Sequence, residues 1–357
     1  MNSPAIGVGL MAAAVTIAGA AALAAPVTLD EEVRRVELVA RVERSVVLVL
    51  VEGREISHEK ETVSLEPSKS LGTGFLVSSD GLILTAAHVV RDADRVRAQL
   101  EKGDPVPVRV VFSDETSDVA LLRLETVPDF PLAPARLGDS DRVRKGETVY
   151  VIGNPMGIEK SVSVGVVSGR RPMRKVFGGL VETEVIQTDA AINQGNSGGP
   201  IFNSRGEVIA MAQAILTRGG GSEGLGFGLT INAVRKILES DPCRWLGFSG
   251  APLDEGWSRA LNVPSSGGVL VMRVTPGGPA DQAGLEGGSI PIQFGKEHAL
   301  LGGDVILALD GVPVEEWMRT RQDLAMKPGE RREVRLTVLR GGRTRELTLV
   351  AIHRPGW

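Results

Sequence analysis

Between residues 72 and 230 the chain alternates short apolar, β-branched runs with turn chemistry. The runs are GFLVSS, PVPVRVVF, DVALLRL, ETVYVIG, SVSVGVVSG, VIQTDA and EVIAMAQAIL. Ser79-Asp80-Gly81, Lys102-Gly103-Asp104 and Asn203-Ser204-Arg205-Gly206 punctuate them, and such clusters end strands. Strands of this length and spacing predict a closed or sandwiched antiparallel fold. Upstream, EEVRRVELVARVER has apolar residues at helical spacing and gives way to VVLVLVEG, so a helix leads into a first strand. The polar, patternless EISHEKETVSLEPSKS predicts a loop in which His58 is solvated. Downstream, INAVRKILES predicts a helix that begins at an Asn or Thr cap.

The pattern breaks at Ser240-Asp241-Pro242-Cys243, and a second, smaller unit runs to about His353. It offers a strand at GVLVMRV, a short helix at GPADQAGL, a strand at GDVILALDG, a helix at VEEWMRTRQDL and a closing hairpin REVRLTVLRGGRTRELTLVA. Gly341-Gly342 can take the positive φ angles of a two-residue turn. This is an α+β module. At the other end, Ala5 to Ala25 is apolar and small throughout, with no charge before Asp30. It reads either as an export signal cleaved after Ala22-Leu23-Ala24 or as an uncleaved membrane anchor, with a buried helix as the third reading. The resulting division is 1–25 leader or anchor, 26–50 helix and lead-in strand, 51–239 first domain and 240–354 second domain.

Composition narrows the function. A length of 357 residues allows about two domains, and 42% hydrophobic with 24% charged residues describes a folded, non-polytopic chain. The 44 glycines and 20 prolines against 4% aromatics favour turns and short strands over long helices. A single cysteine, Cys243, rules out an internal disulfide, and without a CxxC there is no zinc or thioredoxin-type reading. The net charge of -4 lacks the basic excess that nucleic acid requires. Only four histidines are available for hydrolytic chemistry near neutral pH.

Three places carry candidate chemistry. His88 ends the apolar run GLILTAAHVV, where strand turns to helix, and could equally be a satisfied core residue. Asp118 directly precedes the apolar run VALLRL, and a carboxylate buried there needs a partner. Its plainer reading is a strand-start turn residue; Asp114 lacks the flanking run and reads as solvated. Ser197 lies in Gln194-Gly195-Asn196-Ser197-Gly198-Gly199-Pro200. A serine among glycines can be only a turn, but so tight a backbone can also expose its oxygen while the N–H groups of Gly195 and Ser197 converge on an oxyanion. The chain order His88, Asp118, Ser197 is that of trypsin-like enzymes, not of subtilisins or α/β-hydrolases.

The stretches GTGFLVSSDGLILTAAHVV, SDVALLRL, VIGNPMG, VIQTDAAINQGNSGGPIFNSRGEVIAM and GLGFGLTIN span nearly all of residues 72–232. They make the sequence similar to the HtrA (Deg) family of bacterial serine endopeptidases. The resemblance implies a mainly β chain, a trypsin-like double antiparallel β-barrel followed by an α+β PDZ domain. It implies Ser197 as nucleophile, His88 as base and then acid, Asp118 as its orienting carboxylate, and no metal or organic cofactor. By the same resemblance Ala190, Ala191, Ile192 and Asn193 would form one wall of the primary substrate pocket, with Gln194 beside them, and Gly226, Phe227 and Gly228 the other. No carboxylate stands where it would select Lys or Arg, so cleavage after small or medium aliphatic residues is expected.

The second module resembles the family's PDZ domain in GVLVMRVTPGGPADQAGL and GGDVILALDGVPV. Its carboxylate-binding loop would be Trp245, Leu246, Gly247 and Phe248, with Gly287 to Leu301 as an extra segment between the two motifs. His298 and His353 are expected to face solvent. Arg170, Arg171, Arg174 and Lys175 mark a basic loop, read either as an order–disorder switch tied to PDZ occupancy or as a solvated loop. The implied partners are unfolded polypeptide substrates and peptide C-termini, and the implied place is the bacterial periplasm or envelope. Homotrimers are expected from the family, although Glu31 to Val51 carries no aromatic residue. Two other readings stand beside the protease: a non-catalytic PDZ scaffold or chaperone, and a secreted digestive protease, which the PDZ-like module and absent disulfides disfavour.

Overall fold

The computed structural model describes residues 29–352 except 60–61, 116, 158–159, 173–183, 216–223, 241–245, 264–266, 295–296 and 321–330. The leader, Cys243, Arg174, Lys175, Trp245 and His353 therefore lie outside the described residues, as do the side chains of His58 and His298. The chain divides into two units, Met1–Glu37 and Leu38–Trp357. Helix α1 (Leu29–Val42) crosses that division; its Leu38 and Val42 are buried in the second unit's core. Among the described residues no helix is long and apolar enough to cross a membrane.

Strands β1 (Val46–Glu59), β2 (Thr62–Leu76), β3 (Leu82–Thr85), β4 (Ala93–Gln99), β5 (Val106–Asp114) and β6 (Val119–Leu124) close a barrel in the order β1-β2-β3-β6-β5-β4. The short helix α2 (Ala87–Val90) links β3 to β4. A second barrel follows from β7 (Arg136–Leu137), β8 (Thr148–Gly153), β9 (Ser161–Pro172), β10 (Glu184–Thr188), β11 (Pro200–Asn203), β12 (Glu207–Ile215) and β13 (Gly226–Thr230). Its order is β11-β8-β9-β10-β13-β12-β7, and pairing of β11 with β12 closes it. Helix α3 (Ile231–Ser240) ends the domain, starting where the apolar pattern changes period. One core cluster spans both barrels, with Phe75 and Leu84 from the first and Ile152, Phe202 and Met211 from the second. Burying each such side chain stabilises by about 1.5–3 kcal/mol, which fixes the barrels against each other.

The third body is the α+β module, with β14 (Phe248–Leu253), α4 (Glu255–Ala260), β15 (Gly268–Val274), α5 (Pro279–Gln282), β16 (Ile290–Phe294), β17 (Glu297–Leu301), β18 (Val305–Leu309), β19 (Val312–Pro313), α6 (Val314–Thr320), β20 (Arg331–Arg340) and β21 (Arg343–Ile352). Its sheet runs β14-β15-β18-β20-β21, with β19 on β18. The closing hairpin turns at Gly341 and Gly342, both at positive φ (54° and 75°), as expected. The extra segment between the PDZ motifs is a hairpin of its own, β16 with β17, and β16 lies against β2.

Two expectations are corrected. The stretch EISHEKETVSLEPSKS is not a loop: β1 and β2 pair without a break from Val46↔Phe75 to Glu59↔Thr62, as one long ribbon. Beyond Gly53, where pairing with β4 ends, Arg54, Glu55, Glu66 and Pro67 are exposed. Ile56 and Leu65, paired across the ribbon, are only part-buried, and a ribbon with no fully buried face has little reason to alternate, so its sequence looks patternless. Likewise Arg170 and Arg171 belong to β9, not to a loop: Arg170 pairs with Glu184 of β10 and, at 3.1 Å, with Asp141 of the turn Ser140–Arg142, and Arg171 with Gln187 of β10 at 2.9 Å. The Glu184 hydrogen bond, followed by that of Asp141, raises the Arg170 pKa above its ordinary value.

Candidate active site

Strand β3 ends at Thr85, Ala86 stays extended, and the chain turns into α2. That turn buries Ala87, Val89 and Val90 and leaves His88 facing out, its side chain 38% exposed. His88 is therefore not a core residue. Asp118 precedes β6 in the left-handed region at φ 56°. The His88 Nδ1–H donates to Asp118 Oδ2 at 2.8 Å, with Oδ1 at 3.0 Å, and Asp118 Oδ1 also accepts the backbone N–H of His88 at 2.9 Å. A carboxylate on Nδ1 leaves Nε2 as the ring's acceptor, the tautomer a base requires. Asp114, expected to be solvated, instead accepts from Ser117 Oγ at 2.6 Å.

Ser197 comes from the second barrel, on the turn between β10 and β11. In that turn the N–H groups of Asn196, Gly198 and Gly199 go to the carbonyls of Asn193, Ala212 and Asn196 at 2.9, 2.7 and 2.9 Å. Those of Gly195 and Ser197 donate to no described residue. They are the two that sequence reasoning singled out for an oxyanion. Gly198, at φ 81°, packs directly on the first barrel: a Cβ there would lie 2.3 Å from the Thr73 carbonyl oxygen and from Thr85 Oγ1, and 2.7 Å from the Ala86 nitrogen. Only glycine fits. The contact seats the Ser197 turn on the end of β3 and on Ala86, three and two residues before His88.

Thr73 is fully buried, every polar group it has is bonded, and its two donors both go to this turn. Its N–H donates to the Ser197 carbonyl at 3.0 Å and its Oγ1–H to the Gly195 carbonyl at 2.6 Å. Its own carbonyl accepts from Thr85 Oγ1 at 2.7 Å, and Oγ1 accepts from the Asn154 N–H at 2.9 Å. From the other barrel, Gln213 Nε2 donates to the carbonyls of Ser117 and Asp118 at 3.0 and 3.3 Å. Sequence reasoning missed both residues; the signal was present as a lone polar side chain inside the apolar runs GTGFL and AMAQAI.

Of the expected pocket residues, Ile192 and Gly226 meet: a Cβ on Gly226 would lie 2.9 Å from Ile192 Cδ1. Ile192 and Phe227 are buried, Ala191 is half-buried, and Gln194 is exposed on the turn. Gly228 faces the inside of the second barrel, against Ile201 and Met211. In the smaller module the Leu246 and Gly247 carbonyls accept from the N–H groups of Ala280 and Thr275 at 3.0 and 2.8 Å, with Gly247 at φ 82°. Phe248 opens β14, which among the described strands pairs with β15 alone. A crevice of about 570 Å³ separates Leu246, Phe248 and Trp317 from Arg91, Asp114 and Glu115 of the first barrel. Across the same boundary Arg273 pairs with Asp92 at 2.7 Å and donates to the Arg54 carbonyl at 2.8 Å.

Comparison with known proteins matches two family models, a trypsin-like peptidase domain over residues 72–211 and a PDZ domain over residues 246–350. A probable periplasmic serine endoprotease DegP-like of Ectopseudomonas mendocina is 36% identical over 293 residues, covering 78% of this chain and 56% of the relative. A probable periplasmic serine protease do/HhoA-like of Haemophilus influenzae is 34% identical, covering 79% and 58%. The chain thus spans a little over half the length of these two relatives. A putative serine protease HhoA of Synechocystis is 34% identical over 297 residues, covering 78% of this chain and 69% of the relative. Among solved structures, an HtrA-type protease AlgW with tripeptide superposes with a TM-score of 0.52 at 29% identity, covering 90% of this chain and 98% of the other. The same protease with decapeptide gives 0.50 at 27%, covering 90% and 99%.

Proposed function

The chain belongs to the HtrA (Deg) family of serine proteases, and from that membership we propose that it is an endopeptidase that hydrolyses unfolded envelope proteins through an acyl-enzyme. Ser197 Oγ attacks the scissile carbonyl carbon while its proton passes to His88 Nε2. The tetrahedral oxyanion takes hydrogen bonds from the N–H groups of Gly195 and Ser197. His88 then gives the proton to the leaving amine, the C–N bond breaks, and an acyl-Ser197 ester remains. Water then gives a proton to the same Nε2 and adds to the acyl carbon, the bond to Ser197 Oγ breaks, and His88 passes that proton to Oγ as the acid product leaves. Asp118 holds the ring and stabilises its cationic form. The observation that carries the reading is the bond from His88 Nδ1–H to Asp118 beside a serine turn with two unspent N–H groups.

The contact of Ile192 with Gly226 supports a shallow pocket and so cleavage after Val, Ala or Ile. The open edge of β14 and the turn at Gly247 support capture of a peptide C-terminus as an added strand. The periplasmic names of the relatives support an envelope location, and family membership supports a trimer. The test is labelling by a fluorophosphonate probe together with degradation of an unfolded protein such as reduced casein. Both are expected in the wild type and absent in Ser197→Ala. An unlabelled wild-type protein that still binds peptides would instead favour the scaffold or chaperone.

A further inference from the structure

Gln213 is an anomaly in β12. The strand reads EVIAMAQAI, and its pairing with β13 shifts between Ala212 and Ala214, since Ala212 faces Gly228 and Ala214 faces Phe227. Gln213 is the extra residue of this bulge. A bulge re-aims its side chain away from the sheet's alternation. Here the amide leaves the second barrel and enters the first, where it is buried at 7% exposure. Both of its partners are carbonyl oxygens, Ser117 at 3.0 Å and Asp118 at 3.3 Å, so both N–H bonds of the amide are committed and its orientation is fixed.

The two carbonyls belong to the two peptide planes that flank the Asp118 α-carbon. Turning the first changes φ of Asp118; turning the second changes ψ. One amide therefore holds both dihedrals of a residue whose φ of 56° costs about 1–2 kcal/mol for an L side chain, less for Asp than for most. Those dihedrals set the direction of the Cα–Cβ bond, and with it the place of the carboxylate that His88 Nδ1 meets at 2.8 Å.

We propose that Gln213 is a positioning residue for the His88–Asp118 pair, aiming the carboxylate by fixing the strained backbone that carries it. The proposal rests on the endopeptidase reading for its kinetic consequence, but not for its structural one. With Gln213 gone, the turn relaxes toward negative φ, the carboxylate leaves the ring, and the cationic form of His88 loses its partner.

The test uses the full chain and two variants. Gln213→Met keeps length and bulk without a donor; Gln213→Asn keeps the amide but is one methylene too short to span both carbonyls, and is the variant to use if the first does not fold. The low-field proton resonance of the His88 Nδ1–H, recorded in a Ser197→Ala background so that no turnover is needed, is expected to shift upfield or vanish in either variant. In the active background kcat should fall about 10- to 100-fold, as for a misplacement of about 1 Å, with KM changed by less than about twofold. A purely structural glutamine would lower the melting temperature while resonance and kcat at 25 °C stayed at wild-type values, and that result overturns the proposal. Failure of the wild type to label with fluorophosphonate would refute the endopeptidase reading and leave the resonance experiment as the judge of Gln213.

Discussion

Thr73 of the first barrel donates its hydroxyl to the Gly195 carbonyl of the second at 2.6 Å, across 122 residues of chain. Through its own N–H it also holds the Ser197 carbonyl at 3.0 Å. The two residues whose N–H groups would face an oxyanion thus have their carbonyls fixed by one fully buried side chain and backbone.

Thr73→Val is expected to keep the fold's volume and lose the hydroxyl, leaving a buried acceptor on Gly195 at a cost of about 1–3 kcal/mol. The rate of fluorophosphonate labelling should fall about 10-fold or more, short of the 10²–10³-fold of an outright lost oxyanion donor. Thr73→Ser restores the donor and should recover most of the rate. Equal labelling rates for all three proteins would deny Thr73 any part in ordering the turn.

Stability below about pH 5 is expected to depend on Glu207. Its carboxylate takes Asn203 Nδ2 at 3.0 Å and Arg205 Nε at 2.9 Å, with Arg136 at 3.1 Å, in the turn between β11 and β12. The Asn203 hydrogen bond, foremost, holds its pKa below the ordinary 4.5. A depressed folded value means the contribution is whole above the unfolded pKa and is lost as pH falls through the folded one. Melting temperatures taken from about pH 6 to about pH 3 should therefore fall more steeply for the wild type than for Glu207→Gln. Parallel curves would remove Glu207 from the acid transition.

In the PDZ module Arg340 grips the fully buried Asp304 with two bonds of 2.6 Å and reaches Glu286 and the Gly284 carbonyl at 2.7 Å each. Asp304, chiefly, raises the guanidinium's pKa. Removing one partner of such a pair strands a buried charge at about 3–5 kcal/mol. Urea unfolding should show that loss for Arg340→Ala and little recovery in Arg340→Lys, since an ammonium cannot bond both carboxylate oxygens in one plane. Full recovery by Lys would mean that charge alone suffices.

Arg273 and Asp92 join the PDZ module to the first barrel, but Asp92 is 43% exposed. A double-mutant cycle with Asp92→Asn and Arg273→Met should give a coupling of only about 0.2–1 kcal/mol, smaller still in about 1 M salt. A coupling several times larger would mean that the boundary is dry and rigid.

What was legible in the sequence was whatever buries a face. Runs such as GLILT and VALLRL declare β3 and β6, and with them the places of His88 and Asp118, because each must present apolar side chains to a core. The distal half of the β1–β2 ribbon and the end of β9 escaped, because backbone pairing alone leaves no trace in residue type. The supporting residues escaped for a different reason. A threonine or glutamine becomes meaningful only through partners 122 or 95 positions away, which no local window contains.

Asp118 meets both the ring and the backbone N–H of His88, in the first turn of α2. The carboxylate is thus also a cap supplied from outside the helix, and capping groups are worth about 0.5–2 kcal/mol. Replacing Asp118 would loosen the segment that carries the imidazole as well as disabling it. An inactive version made at that position would confound lost chemistry with lost shape, whereas Ser197→Ala removes one oxygen and leaves both barrels' seams intact. Trapping of bound substrates should be done with the serine variant, and any difference between the two inactive proteins measures what the carboxylate does for the architecture.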